Sequence, residues 1–402
     1  MIRISDKHNC CGCSACVQIC PKQSITCEYD RQGFFYPIVN EATCINCGLC
    51  EKVCPVLNHS TAKLPLEVYA ALNINPDIRR NSSSGGIFTN LGEWVITQGG
   101  VVFGASYDDK WLVEHTCVES VEGLIKLMGS KYLQSRIGNS YIHVRQFLES
   151  GRIVLFTGTP CQVAGLKRFL RKEYDNLITV DIVCHGTPSP LVWQKYLEHI
   201  LGEKYSNIIK NITFRDKSTG WKKYSFVVHG NDTIERITSE SATGTILFSE
   251  TLDKNLFMQS FLKNLSIRPS CTQCPAKSGR SGSDITLGDF WGIGNVHPEW
   301  DDDKGTSLVL INSNKGKSLL FSCAESLSLL ATNYHVALKG NPSIKFSSRA
   351  SKYSSKFWEC FYSSGFAEVP VIIRKCRPSI LKKCKSLFIY YYRAVCKRII
   401  SK

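Results

Sequence analysis

Long apolar segments are absent from this sequence of 402 residues. No run approaches the ~20 residues that a membrane-spanning helix needs, so we expect no such helix. The first ten residues, MIRISDKHNC, also lack the apolar core of a signal peptide. These two absences argue against an integral membrane protein and an exported one, and we therefore expect a cytoplasmic protein.

Cysteine, by contrast, is abundant, with 20 residues. In a reducing compartment such a density indicates metal or redox chemistry and not a disulfide framework. The runs CCGCSACVQICP and CINCGLCEKVCP share one spacing, and a proline follows each. This is the bacterial two-cluster ferredoxin pattern, in which each fourth cysteine ligates the other cluster. The pattern predicts one 4Fe-4S cluster on Cys10, Cys13, Cys16 and Cys54, and a second on Cys44, Cys47, Cys50 and Cys20.

A zinc site is the alternative interpretation of these runs. Zinc usually takes four ligands in two pairs, whereas this sequence has two runs of four at identical spacing. The spacing therefore favours iron and sulfide. Cys11 and Cys27 are surplus to the pattern, and we interpret them as ordinary small residues.

The domain organisation is predicted from length and from one polar segment. The stretch HSTAKLPLE (59–67) is typical of a linker, which limits the ferredoxin domain to residues 1–60. A chain of this length needs further domains, and we place them at 67–150 and 151–330. Residues 331–402 form an extension that ends in a basic tail.

Strands and helices alternate in the body of the chain, which predicts a parallel sheet. Antiparallel strands follow, including NITFRDK, DTIERITS and TILFSE. The fold class is therefore a multidomain α+β and α/β protein, with a mixed sheet and an antiparallel β section. Cys161 and Cys184 fall just past the carboxyl ends of two successive strands, at the edge of a parallel sheet where sites assemble.

A third metal site is one of several interpretations of the remaining cysteines. Cys271 and Cys274 form a CxxC pair that needs two more ligands, and Cys161 and Cys184 could supply them. A catalytic dithiol at the CxxC pair is a second interpretation. A Cys161 nucleophile, with His185 as the only local base, is a third, and inert cysteines are a fourth.

Two small-residue loops, Ser82–Gly86 and Gly129–Tyr132, lie at predicted helix ends. Their backbone N–H groups and the lysine suit a phosphate-bearing cofactor, although neither loop matches the Walker or dinucleotide fingerprints. A plain helix cap is the alternative for Ser82–Gly86.

Five motifs in order resemble the beta subunit of coenzyme F420-reducing hydrogenases and dehydrogenases, over roughly residues 67–315. They are NSSSGG, GSKYLQS, GTPCQVAGLKRFL, DIVCHGTPSP, and SCTQC followed by SDITLGDFWGIG. The chain is similar to the bacterial form, which carries a fused N-terminal two-cluster ferredoxin domain. The resemblance implies a flavin-binding body with FAD and a third 4Fe-4S cluster on Cys161, Cys184, Cys271 and Cys274. It implies that three loops contact the FAD through Ser82, Ser83, Ser84, Gly85, Gly86, Gly129, Ser130, Lys131, Tyr132, Thr157, Gly158, Thr159 and Pro160.

The function that the resemblance implies is an oxidoreductase that relays electrons between 4Fe-4S clusters and FAD. It would reduce or oxidise an organic substrate or a hydride carrier, with a ferredoxin or a partner subunit as redox donor. The alternative is an electron-transfer subunit that docks on a hydrogenase or dehydrogenase, with coenzyme F420. Asp284, Asp289 and Trp291 are candidates for positioning flavin or substrate, and a turn cap is the alternative for Asp289.

The net charge of +15 is unevenly placed, since Val371–Lys402 holds ten Lys or Arg and no acidic residue. Thiolates that ligate clusters bring the rest of the chain closer to neutrality, so we expect no nucleic-acid partner. The tail mixes its cations with Leu, Ile and Tyr. It is typical of a docking helix, of a peripheral contact with the inner membrane face, or of a site for an acidic partner.

Overall fold

The computed structural model of the protein describes residues 1–230 and 244–376. Its strands in chain order are β1 (Ile25–Tyr29), β2 (Phe35–Val39), β3 (Glu67–Asn73), β4 (Val101–Tyr107), β5 (Val113–Val118), β6 (Val154–Gly158), β7 (Leu177–Ile182), β8 (Ile209–Asp216), β9 (Ser225–Gly230), β10 (Ile246–Thr251), β11 (Ile285–Asp289), β12 (Ser307–Ile311) and β13 (Leu327–Thr332).

Helices separate most of these strands. They are α1 (Ala15–Gln18), α2 (Leu49–Lys52), α3 (Pro76–Asn81), α4 (Ile87–Thr97), α5 (Leu124–Leu127), α6 (Ser140–Glu149), α7 (Pro160–Leu170), α8 (Pro190–Leu201), α9 (Leu256–Leu262), α10 (Asn314–Ser322), α11 (Tyr334–Gly340), α12 (Ser354–Ser364) and α13 (Val369–Lys375).

The first sixty residues form a small unit around the two cysteine runs. Strands β1 and β2 pair as an antiparallel hairpin between the runs. The one-turn helices α1 and α2 each contain the third cysteine of a run, Cys16 and Cys50. The predicted short strands between the runs are confirmed.

One eight-stranded mixed sheet dominates the body, in the order β13-β3-β12-β11-β7-β6-β4-β5. Its four central strands, β11, β7, β6 and β4, are mutually parallel. The strands on both flanks pair antiparallel. The predicted mixed sheet is therefore confirmed, and it takes strands from both sides of residue 150.

Helices cover the two faces of this sheet, because the central strands are apolar on both sides. On one face α4, α5 and α10 pack against β6, β7 and β12, with Leu91 and Leu320 fully buried. On the other face α6 and α7 pack against β4 and β6 through Phe156 and Phe169. The small N-terminal unit joins this second face, where Cys13 and Val53 contact the same cluster.

A separate antiparallel sheet, β10-β9-β8, packs with α8, α9, α12 and α13. Its core is aromatic: Trp193 lies against Phe214 and Phe257 at 5.1 and 5.0 Å between ring centroids. This sheet confirms the predicted antiparallel section. The predicted strand DTIERITS lies outside the described residues.

One predicted helix is much shorter than the periodicity of VEGLIKLMGSKYLQS suggests. It is reduced to the single turn of α5, which ends at Leu127. Gly129 then adopts a left-handed φ of 78°, which breaks the helical path. The residues that follow form a loop at the edge of the sheet.

The C-terminal basic segment is described only to Cys376. Helix α13 buries Ile372 and Ile373 against the antiparallel sheet core, and the predicted role of the tail rests on residues beyond it. Among the described residues, no helix is long and apolar enough to cross a membrane.

Candidate metal and cofactor site

The eight cysteines of the N-terminal runs line two small cavities of about 20 Å³ each. One cavity is lined by Cys10, Cys13, Cys16 and Cys54, together with Cys11 and Cys27. The other is lined by Cys20, Cys44, Cys47 and Cys50. The fold thus brings together the two predicted ligand sets, including the exchange of the fourth cysteine between runs.

The backbone of the two runs repeats one conformation. Gly12 and Asn46 both have a left-handed φ, at 72° and 51°, and Ser14 and Gly48 repeat it two residues later, at 59° and 72°. Left-handed residues at these points turn the chain sharply between cysteines. Each run therefore curls around its cavity and then enters a one-turn helix.

The four later cysteines converge at the carboxyl edge of the central sheet. Cys161 lies in the first turn of α7, whose N-terminus is held by a capping box of Thr159 and Gln162. Cys184 follows β7, which is the parallel neighbour of β6. Cys271 and Cys274 come from a single 3-10 turn and its cap. A Cβ on Gly186 would lie 3.8 Å from Cys271 Sγ, so the loop after β7 reaches the CxxC pair.

Mutual repulsion of thiolates shows that these four cysteines are neighbours. Burial, then Cys161 and Cys274, raises the pKa of Cys271 to about 11. Burial raises the pKa of Cys184 further, and all three other cysteines contribute to that shift. Four thiols that resist ionisation together need a bound cation to ionise, and metal binding would release their protons.

One buried cation already faces this cysteine set. Lys277 is 5% exposed, and its Nζ donates to the carbonyls of Cys184 and Ser343. Its charge lowers the pKa of both Cys184 and Cys274, against the larger effect of burial. The donor set of four thiols with a compensating ammonium fits an anionic iron–sulfur cluster.

The geometry of the thiols also bears on the zinc interpretation. Zinc–sulfur bonds of ~2.3 Å would gather four thiolates around one point. Among the described residues, no group of three His, Cys, Asp or Glu side chains is placed to hold a single metal ion.

His185 is the base that a Cys161 nucleophile would require. Its Nε2 bonds Asn264 Oδ1 at 2.6 Å, and its ring lies against Phe261. Cys161 Sγ instead lies 3.2 Å from Thr159 Oγ1. Within the described part of the chain, no hydrogen bond joins His185 to Cys161.

A cavity of about 300 Å³ opens at the same edge of the sheet. Eleven of the thirteen predicted flavin-loop residues line it: Ser82, Ser83, Ser84, Gly86, Gly129, Ser130, Lys131, Tyr132, Thr157, Gly158 and Thr159. Cys161 lines it as well. The three loops, which are far apart in sequence, therefore meet around one space.

Two predicted loop residues lie outside this lining. Gly85 is packed between strands, where its N–H donates to Ser307 Oγ and a Cβ would lie 2.4 Å from the Ala71 carbonyl oxygen. Pro160 lines a smaller cavity beside Cys184 and Asp181. Both positions keep the adjacent loop residues in place.

The loops carry unpaired positive potential into the cavity. Helix α4 starts at Gly86, which is left-handed and gives no side-chain cap, so its first N–H groups face the cavity end of the helix. Ser130 N–H donates to Ser83 Oγ at 2.7 Å, which joins two of the loops. Desolvation lowers the pKa of Lys131 to about 7. An anionic ligand would restore the charge of this lysine, and the site therefore fits a phosphate-bearing cofactor.

The structure also places residues at the cavity that the sequence patterns did not single out. Cys11 and Gly12 reach it from the N-terminal unit, and His115 reaches it from β5. Burial lowers the pKa of His115 to about 4, and its Nε2 contacts the Thr157 carbonyl at 3.0 Å. The doubled cysteine at 10–11 was the only sequence signal for Cys11.

The three residues of the DITLGDFWG segment have different roles. Asp284 lies in the core, where it accepts from Thr179 N–H and Ser313 Oγ. Asp289 ends β11 and lines the cavity, but its carboxylate accepts from Arg215 and from Trp221 Nε1. Trp291 stacks on Trp221 at 4.6 Å. Asp289 therefore supports the cavity wall.

Replacing Asp289 with asparagine is expected to lower the free energy of unfolding by about 3 kcal/mol, because it leaves the Arg215 guanidinium buried without a counter-ion. The Arg215 side chain is only 3% exposed. Asp302→Asn is the matched control, since the Arg79–Asp302 pair is largely at the surface, with Asp302 43% exposed, and should change stability by at most ~1 kcal/mol. Chemical denaturation of both variants measures the difference, and equal losses would contradict the structural role of Asp289.

Comparison with known proteins agrees with these features. Residues 151–335 match the family model for the C terminus of the coenzyme F420 hydrogenase/dehydrogenase beta subunit. Residues 9–58 match the 4Fe-4S dicluster domain. No curated protein matches the chain.

Among solved structures, the chain is similar to a chain of the F420-reducing NiFe hydrogenase complex from Methanosarcina barkeri. The two are 16% identical, the match covers 70% of this chain and 91% of that chain, and the TM-score is 0.46. The predicted family resemblance is confirmed by the family matches: over residues 151–335 the chain belongs to the coenzyme F420 hydrogenase/dehydrogenase beta subunit family, and it carries a 4Fe-4S dicluster domain at residues 9–58.

Proposed function

We propose that the protein is an iron–sulfur flavoprotein oxidoreductase, in which electrons pass between 4Fe-4S clusters and FAD to reduce or oxidise an organic substrate or hydride carrier. The position of Cys161 carries this proposal. It belongs to the third cysteine set and also lines the 300 Å³ cavity. A cluster on that set and a cofactor in that cavity would therefore be adjacent.

Contacts between the N-terminal unit and the body support an internal electron path. A Cβ on Gly165 of α7 would lie 3.0 Å from Cys13 Sγ, so the first thiol set packs directly on the helix that begins with Cys161. Cys11 and Gly12 line the same cavity as Cys161. Backbone of the dicluster domain thus separates the first set from the third by little intervening protein.

The residues around the cavity have separable tasks in FAD binding. The N-terminus of α4 and Lys131 attract the pyrophosphate. Lys217 holds the Ser82–Ser84 loop in place, since its Nζ donates to the Ser84 carbonyl at 2.6 Å. Bound FAD would supply hydride transfer and one-electron exchange. His115 is uncharged at neutral pH because of its low pKa, and so it offers a neutral hydrogen-bonding group near the cofactor.

An exposed face of the dicluster domain supports a redox partner. Cys47, of the second thiol set, is exposed, and Ile45 and Leu57 are 57% and 58% exposed. A surface-near cluster with apolar neighbours suits transient docking of an electron carrier or a partner subunit. This face also favours the second candidate function, an electron-transfer subunit of a hydrogenase or dehydrogenase complex that uses coenzyme F420.

Anaerobic purification with iron, sulfide and flavin analysis tests the proposal. Three four-iron clusters and one flavin predict about twelve irons and about one FAD per chain. A preparation with about eight irons after full reconstitution would mean that the third cysteine set is not a cluster site. Turnover of a small hydride acceptor by the isolated chain would favour the first candidate, and turnover only with a partner subunit would favour the second.

A further inference from the structure

Arg268 is a buried guanidinium at the boundary between the dicluster domain and the body. It is 1% exposed and lies three residues before Cys271. Its backbone N–H donates to the Thr187 carbonyl at 2.9 Å, which ties it to the loop after β7. Among residues 1–230 and 244–376, no Asp or Glu forms an ion pair with it.

Its side chain instead points into the first cysteine set. Nε donates to the Cys10 carbonyl at 2.8 Å, and Nη2 donates to the Phe35 carbonyl at 2.7 Å and contacts Cys10 Sγ at 3.5 Å. Nη1 donates to Gln134 Oε1 at 2.9 Å. The guanidinium also lies over the Tyr36 ring, 4.2 Å from its centroid.

A buried cation with only neutral partners is costly, so a negative charge is expected beside it. Burial opposes the charge of Arg268, but the thiolates of Cys10, Cys11 and Cys271 outweigh this effect and raise its pKa. The compensating charge therefore comes from cysteines on both sides of the boundary.

A second observation marks the same point. The Tyr36 hydroxyl is buried and has no hydrogen-bond partner among the described residues, and Cys10 and Cys271 are among its electrostatic neighbours. A buried hydroxyl without a partner calls for an acceptor. An anionic group between Cys10 and Tyr36 would serve both Tyr36 and Arg268, and the cavity lined by the Cys10 set lies there.

We propose that Arg268 is a positioning residue that raises the reduction potential of the cluster on the Cys10 set and fixes that cluster against the body. Positive charge and hydrogen bonds to cysteine sulfur stabilise the more negative, reduced state of a cluster. Because Arg268 belongs to the CxxC loop, it would make the Cys10 cluster easier to reduce than the Cys44 cluster, on the side that faces the cavity. This inference uses the dicluster domain alone and rests on the proposed function only for the direction of electron flow.

Redox titration of the anaerobic holoprotein, followed by electron paramagnetic resonance, tests this inference. In Arg268→Met, which keeps an apolar stem but removes the charge, we expect the equilibrium constant for reducing the Cys10 cluster to fall at least tenfold, or about 59 mV for one electron. The Cys44 cluster of the same molecule is the internal control and should not move. Signals are assigned with Cys47→Ser, which removes a ligand of the Cys44 set only.

Iron content distinguishes a failure of this inference from a failure to assemble. If Arg268→Met keeps the iron of the dicluster domain and its two potentials match the parent protein, the inference is overturned. If Arg268→Met loses that iron, Arg268→Lys is titrated, because a single ammonium keeps the charge but cannot hold all four partners. A fall of about threefold or more in the Cys10 cluster alone supports the role, by the same charge and hydrogen-bond argument, and an unchanged potential contradicts it. Absence of FAD or of the third cluster leaves this comparison intact.

Discussion

Replacing Cys161 with serine is expected to remove about four of about twelve irons per chain and to leave the signals of the dicluster domain in place. Cys161 is the member of the third set that lies in the first turn of α7 and lines the cavity. The Cys10 and Cys44 sets line separate cavities, so their clusters do not depend on it. Iron and sulfide analysis of the anaerobic variant gives the count.

The control for this variant is Cys117→Ser. Cys117 lies on β5 and packs partly buried against the core beneath α6, and we expect the full iron content to be kept. Full iron in Cys161→Ser would show that Cys161 is not a ligand. Loss of all iron in both variants would instead show that serine at either position prevents folding, and the ligand assignment would then be tested with Cys184→Ser.

Lys131 should make FAD binding dependent on pH. Desolvation lowers its pKa to about 7 in the flavin-free protein, and an adjacent phosphate would raise that pKa. The bound form therefore takes up a proton above pH 7. Affinity is highest below pH 7, where both forms are protonated. It falls by up to about tenfold per pH unit as pH rises toward the pKa of the bound form.

Substitution of Lys131 with methionine is expected to weaken FAD binding about tenfold at pH 6.5, by loss of one cation–phosphate contact, and to flatten the pH profile. Lys126→Met is the matched control, because Lys126 is exposed on the neighbouring α5. Flavin fluorescence titration of the flavin-free proteins between pH 6.5 and 8.5 provides the dissociation constants. A Lys131→Met profile as steep as that of the parent protein would assign the pH dependence to another group.

Much of the site could be predicted because its information is local. The runs of cysteines at 10–20 and 44–54 predict ligand sets through spacing alone, and short spacings leave the backbone few ways to curl. The alternation of strand and helix through β6, α7 and β7 predicts a parallel sheet. Parallel neighbours then place Cys161 and Cys184 at one edge, which is where the structure has them.

Other features depend on contacts between distant segments, and no local pattern carries them. The insertion of the antiparallel pair β11–β12 beside β7 and β3 sets which residues end at the cavity edge. It brings Asp289 to the cavity but keeps Asp284 in the core. Both residues share one motif, so only strand register distinguishes them.

The sequence by itself therefore determined the family, the dicluster domain and the cysteine sets, since spacing and periodicity are properties of short segments. Tertiary structure alone decided how the two parts of the chain meet. The Arg268 side chain bonds Cys10, 258 positions away, and Cys11 reaches the cavity beside Cys161. The physical reason is desolvation: once the packed domains bury these thiols, their charge can be balanced only by cations that the fold brings from elsewhere.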